Sequence, residues 1–191
     1  MGYTTDFDGR FTVTPPLTLE HACYLARFSG TRRMSRDEGK AKGLPDPYRE
    51  AVGLPVGPNG SFFTGGSGGA GQEGGASVVS HNGPPPDQPG LWCQWAPQTE
   101  RGESLCLGGW SEDEGPEEGA VYTHFGWDGG EKFYNYQEWL AYLLDNFLEP
   151  WGYHLNGEVT WQGEDRGDVG KIVVSNNQIA IKSGRIEWVE T

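Results

Sequence analysis

The chain has 191 residues, the size of one ordinary domain, and 13% of them are aromatic; a disordered chain is aromatic-poor, so disorder throughout is excluded. Its net charge is −13, from 14 Lys and Arg against 27 Asp and Glu. Such a surface repels phosphate backbones and anionic membranes, which disfavours nucleic-acid and membrane partners. The charge is uneven, because residues 1–50 carry 8 basic and 7 acidic groups and residues 51–191 carry 6 and 20, so an anion site is open only to the first quarter.

The first eleven residues lack the basic and apolar regions of a signal segment, and no apolar run approaches the length of a membrane span. The three Cys (Cys23, Cys93, Cys106) are odd in number and form no CxxC, so buried free thiols and a cytoplasmic location are expected. Residues 9–14 alternate polar and apolar, with Phe11 and Val13 on one face of a short strand stopped by Pro15 and Pro16. Thr18 then N-caps a helix whose stripe is Leu19, Ala22, Cys23 and Ala26, widened by Leu25 and Phe28, and which fades near Gly30.

Eleven of the 34 residues from 57 to 90 are Gly, and three consecutive Pro stand at 84–86. This stretch reads as a flexible insert in a single domain, because the strand and helix before it are too small to form a core alone. Two strands are expected at 91–96 and 104–110, joined by a turn at 100–102 that sets Trp95 opposite Cys106. The acidic run at 112–118 reads as a solvated loop.

A second helix follows. Asn135 and Glu138 have capping-box spacing, Tyr134 and Trp139 that of a hydrophobic staple. Tyr136, Leu140, Leu143, Leu144 and Phe147 mark its apolar face, and Pro150 and Gly152 end it. Residues 155–162 alternate, with Leu155, Val159 and Trp161 on one side. Strands at 171–175 and 178–182 flank Asn176 and Asn177, which tolerate positive φ, so a two-residue hairpin is expected with Val174 facing Ile179 and Ile172 facing Ile181. A last strand, 185–190, adds Ile186 and Trp188.

The expected fold is α+β: an antiparallel sheet with two helices on one face. Its first six elements follow the split βαβ, ferredoxin-like order, and C-terminal hairpin strands extend it.

Several segments, MGYTTDF at 1–7, TRRM at 31–34, LWCQW at 91–95, GEKFY at 130–134, PWGY at 150–153 and NGEV at 156–159, resemble a set of uncharacterised bacterial and bacteriophage proteins. The resemblance spans most of the chain outside the Gly-rich stretch. It implies a small soluble unit and no activity, cofactor or catalytic residue.

Most motif matches in the chain lack the context that their chemistry needs. The G-x-G-x-x-G match at 66–71 lacks the helix that a dinucleotide fingerprint needs. Asp6 and Asp8 hint at a calcium loop, but later ligands are missing. The four His are scattered and neither a nucleophile elbow nor a P-loop Lys is present, so no metal or cofactor is expected. Asp128, Glu131, Glu158, Asp165 and Asp168 are the carboxylates available to acid–base chemistry.

Two clusters stand out. Arg32, Arg33 and Arg36 follow the first helix and have the forked geometry for a phosphate or carboxylate, or else they neutralise the helix end and pair with the chain's own acids. The second is the supply of Trp, including Trp92, Trp95 and Trp127, on a first hairpin that shows apolar side chains on both faces. The preferred expectation is an interaction module that presents an aromatic, acid-rimmed surface to a protein partner or to its own assembly. The alternative is a binder or enzyme for an anionic, nucleotide-like ligand, held by Arg32 and Arg33, stacked on Trp95 and served by Asp128 or Glu131. Nucleic-acid binding on the sheet is a third reading, opposed by the charge.

Overall fold

The computed structural model describes residues 2–65, 75–107, 115–185 and 187. It opens with β1 (Thr5–Leu17) and α1 (Leu19–Ser29). Four small elements follow: β2 (Ser35–Arg36), α2 (Glu38–Ala41), α3 (Pro47–Ala51) and β3 (Val78–Ser80). Then come β4 (Trp95–Thr99), β5 (Tyr122–Trp127), α4 (Tyr136–Leu143), β6 (His154–Gly163), β7 (Val169–Ser175) and β8 (Gln178–Ser183). Six strands form one sheet in the order β4-β5-β1-β6-β7-β8, and its described pairings are all antiparallel. β2 and β3 pair separately. The mixed α+β class and the antiparallel sheet are as the sequence leads one to expect.

Side-chain alternation sorts the two faces of the sheet. Phe11, Val13, Trp95, Phe125, Leu155 and Val159 are buried under the helices, whereas Asp6, Asp8, Thr12, Glu158, Thr160 and Lys182 are exposed on the other side. Away from β4, whose residues Trp95–Gln98 are buried on both sides, the sheet is therefore apolar on one face, and most of the aromatic supply is core. Phe28 of α1 meets Trp139, Tyr142 and Phe147 of the second helix with ring centroids 6.1, 6.0 and 5.2 Å apart. Truncating a ring in such a cluster costs about 3–5 kcal/mol.

α1 starts where expected, with the Thr18 side chain accepting the His21 N–H. Leu19, however, is half exposed and does not join the stripe. In the second helix Asn135 sits at the N-terminal boundary with φ 55°, so its side chain makes no capping bond there and donates instead to the Pro89 carbonyl at 2.6 Å. Tyr134 is half exposed, and its hydroxyl accepts the Tyr3 N–H. The helix continues beyond α4 as a π turn, Leu144–Leu148.

The C-terminal hairpin has the expected register, Val174 opposite Ile179 and Ile172 opposite Ile181. Asn176 and Asn177 both adopt positive φ, 47° and 67°. Asn177 also docks the turn on the start of β6, accepting the Leu155 N–H at 2.7 Å and donating to the Tyr153 carbonyl at 2.9 Å. In β7, Gly170 lies under Trp161, whose ring would stand 2.2 Å from any added Cβ. Only glycine lets the indole lie there.

Two expectations are corrected. β1 is longer than residues 9–14 and runs through Pro15 and Pro16, its pairing with β5 resuming at Leu17 opposite Tyr122. The strand that pairs with β4 is β5, with Trp95 opposite Trp127; residues 91–94 precede β4, and Ser104 makes only an isolated bridge to Gln98. Trp95 is thus not set opposite Cys106. Of the Gly-rich stretch, the described residues 57–65 and 75–90 include Phe63 and Gln88, which are buried, and β3, which pairs with β2. The glycine motif at 66–71, residues 112–114, Trp110, Ile186 and Trp188 lie outside the described residues. Among the described residues no helix is long and apolar enough to cross a membrane.

Candidate functional site

The arginine cluster is structural at two of its three members. Arg33 is 2% exposed, and its guanidinium donates to the carbonyls of Ser61 and Phe63 at 2.6 and 3.0 Å and to Gln88 Oε1 at 3.2 Å. Its carbon lies 4.0 Å from the Phe28 ring centroid. Arg36 is equally buried, donating to Ser77 Oγ at 2.9 Å over the Phe63 ring. Burial and the neighbouring Arg33 push its pKa down to about 10. Arg32 points elsewhere, to the His81 carbonyl and the Asn82 side chain, 5.8 Å from the Trp92 ring centroid. The forked pair expected to hold an anion is therefore split between the interior and the surface.

These bonds explain how the Gly-rich stretch is laid down. A backbone short of apolar side chains supplies carbonyls, and charged donors bind carbonyls more strongly than neutral ones do. Asp46 assists by accepting both the N–H and the hydroxyl of Thr64. The consequence is positional: the Arg33 N–H holds the Leu91 carbonyl at 2.9 Å, which fixes the segment carrying Trp92.

Trp92 forms part of the wall of a cleft of about 660 Å³, within the range of ligand pockets. The end of α1 supplies another part through Ala26 and Ser29, and residues 105–107 close a third side. Asp128 and Glu131, on the turn after β5, supply its acids. Of the expected site residues, Trp92, Asp128 and Glu131 are brought together here. Trp95 is not a ligand platform: it is wholly buried, its indole N–H on the Tyr136 carbonyl. Trp127 braces the turn, its indole N–H shared between Gln94 Oε1 and the Gly130 carbonyl.

The turn is held rigidly by Gln94. Its carbonyl accepts the Asp128 N–H and its amide donates to the Glu131 carbonyl at 2.8 Å. Asp128 Oδ1 accepts the Gly130 N–H at 2.8 Å. A Cβ on Gly130 would stand 3.0 Å from both that carboxylate and the Gln94 amide, a tight fit, and Gly129 takes the positive φ of 85° that favours glycine in the turn. Gln94 and Gly130 were not foreseen as site residues; the only sequence signal is the pair of glycines between Asp128 and Glu131.

Electrostatically the cleft is acidic and unbalanced. Burial pushes the Asp128 carboxyl up to about 6, with the N–H groups of Gly130 and of Asp128 itself pulling partway back. Among the described residues Asp128 has no ion-pair partner. Glu131 reaches only its neighbour Lys132, at 3.9 Å. Cys106 also lines the cleft; the residue is exposed, yet partial desolvation there and the Asp128 charge push its thiol up, so it is a thiol rather than a thiolate nucleophile. Among the described residues no group of three or more His, Cys, Asp or Glu is placed to hold a metal ion.

Neither a protein-family model, nor a curated protein, nor a solved structure matches the chain. Its chemistry has to be read from the cleft.

Proposed function

We propose that this protein is an interaction module that receives a protein partner in the acid-rimmed cleft between the end of α1 and the turn after β5. The observation that carries the reading is Asp128, a part-buried carboxyl in a cleft with an indole wall and, among its described lining residues, no Lys, Arg or His. A carboxylate kept out of water costs stability, and such costs are found where a group is needed for recognition or chemistry. The aromatic anchor and acidic rim agree with how interfaces are built. The scaffold reading goes with it: the order β1, α1, β4, β5, α4 and β6 and the spatial order β4-β5-β1-β6 support a split βαβ, ferredoxin-like core with β7 and β8 appended.

The anionic-ligand alternative has less support, because Arg33 is spent on backbone carbonyls. The test is photo-crosslinking in the cells that make the protein, from a benzophenone side chain at position 92 and, as a control, at Thr12 on the exposed sheet face. A specific adduct from position 92 and none from position 12 is expected. Adducts only from position 12 would place the partner on the sheet.

A further inference from the structure

We propose that the partner group seated in this cleft is a single lysine side chain, its alkyl stem against the apolar wall and its ammonium at Asp128. The inference rests on the interaction reading above and adds the chemistry of the occupant.

Three observations support it. The described residues lining the cleft include two carboxylates and no Lys, Arg or His, so a cation complements them and an anion is repelled by them. The lining also includes apolar Ala26, Ala96, Leu105 and Leu107 beside Trp92, which suits the four-carbon stem that lysine buries while its head stays polar. Asp128 Oδ1 already accepts the Gly130 N–H, which fixes the carboxylate orientation, and among the described residues no side chain donates to this carboxylate. The planar fork of arginine is served less well, because Arg32 already lies 5.8 Å from the Trp92 ring centroid.

Binding is then linked to pH. The titratable groups around Asp128 are Glu131 on its own turn, Cys106 on the facing segment and the buried Cys93, whose thiol burial pushes up to about 12; α1 contributes none. The ammonium needs Asp128 ionised, so affinity falls as pH drops through about 6.

The experiment is an amide NMR titration of the full-length protein with N-acetyl-lysine methylamide. The matched probes are the norleucine and arginine analogues and free butylammonium. The expected result is selective shifts at Gly129, Gly130 and the Trp92 indole, with norleucine at least about tenfold weaker, as for a lost charge-assisted bond. Asp128→Asn abolishes the preference for lysine over norleucine, and lowering the pH from 7.5 to 5 weakens lysine about tenfold. Equal binding of lysine and norleucine, or an unchanged preference in Asp128→Asn, overturns the proposal. Tighter binding of arginine, or of butylammonium than of the blocked lysine, overturns it in favour of a guanidinium or a free amine. A lysine site that passes these tests while position 92 crosslinks to nothing would leave the cation site standing and remove the protein-partner reading.

Discussion

The guanidinium of Arg33 lies 4.0 Å from the ring centroid of Phe28, with its donors on Ser61, Phe63 and Gln88. One cation at the end of α1 thereby ties a glycine-rich segment to the helix and, through the Leu91 carbonyl, sets Trp92 in the cleft wall.

Replacing Arg33 by Ala leaves the Phe63 carbonyl and Gln88 Oε1 without their donor and takes from the Ser61 carbonyl one of its two, the other being the Gln88 amide. The expected loss of stability is about 2–4 kcal/mol, from buried acceptors left without a donor and from lost charge-assisted bonds. Arg32→Ala removes partly exposed bonds and is expected to cost less than about 1 kcal/mol. Urea denaturation of the two variants checks the difference; equal costs would mean that Arg33 is not the anchor.

Asp128 predicts an unusual pH dependence. Its folded pKa is about 6 against an ordinary 3.8, so the native state binds the proton more tightly than the unfolded chain. That contribution is fully present below about pH 4 and is lost as the pH rises through 6, at up to about 3 kcal/mol for a two-unit shift. Asp128→Asn keeps an acceptor for the Gly130 N–H and removes the charge. The variant is expected to gain about 1–3 kcal/mol at pH 7.5 and nothing at pH 4, as read from denaturation midpoints at the two pH values.

How much of this was legible depended on distance along the chain. The hairpin at Asn176 and Asn177 was readable because its two strands are adjacent and only the turn residues had to tolerate positive φ. β5 was not, since Thr123, His124 and Gly126 blur its alternation and its partner Phe11 lies more than a hundred residues away. The capping box at Asn135 failed because the side chain found the Pro89 carbonyl, which no local pattern reveals. The arginines showed their charge but not the carbonyls that they bind. Trp92, Asp128 and Glu131 were readable as residue types, and their meeting required the fold.

Asn177 should resist replacement more than Asn176. Asn177→Gly retains the positive φ but loses the bonds to Leu155 and Tyr153, at about 1–2 kcal/mol. Asn177→Ala adds backbone strain of about 1 kcal/mol. Asn176→Gly is expected to stay within about 0.5 kcal/mol of the parent. Thermal unfolding of the three variants orders them, and equal midpoints would mean that the docking contacts contribute nothing.

The thiols should separate by burial. Cys106 is exposed, Cys23 is half-buried and Cys93 is buried, its thiol raised to about 12 by burial. Iodoacetamide followed by mass spectrometry is expected to label Cys106 first and Cys93 only after unfolding. Rapid native labelling of Cys93 would contradict the packing around Ser29 and Trp95.

The most direct measurement is the affinity of the partner crosslinked from position 92 for four proteins: the parent chain, Trp92→Ala, Asp128→Asn and Thr12→Ala. Weakening of about tenfold or more in the first two variants, on the scale of a lost interface anchor, with Thr12→Ala unchanged, is the predicted result. Parent-like affinity in both Trp92→Ala and Asp128→Asn would contradict the assignment of the cleft as the recognition site.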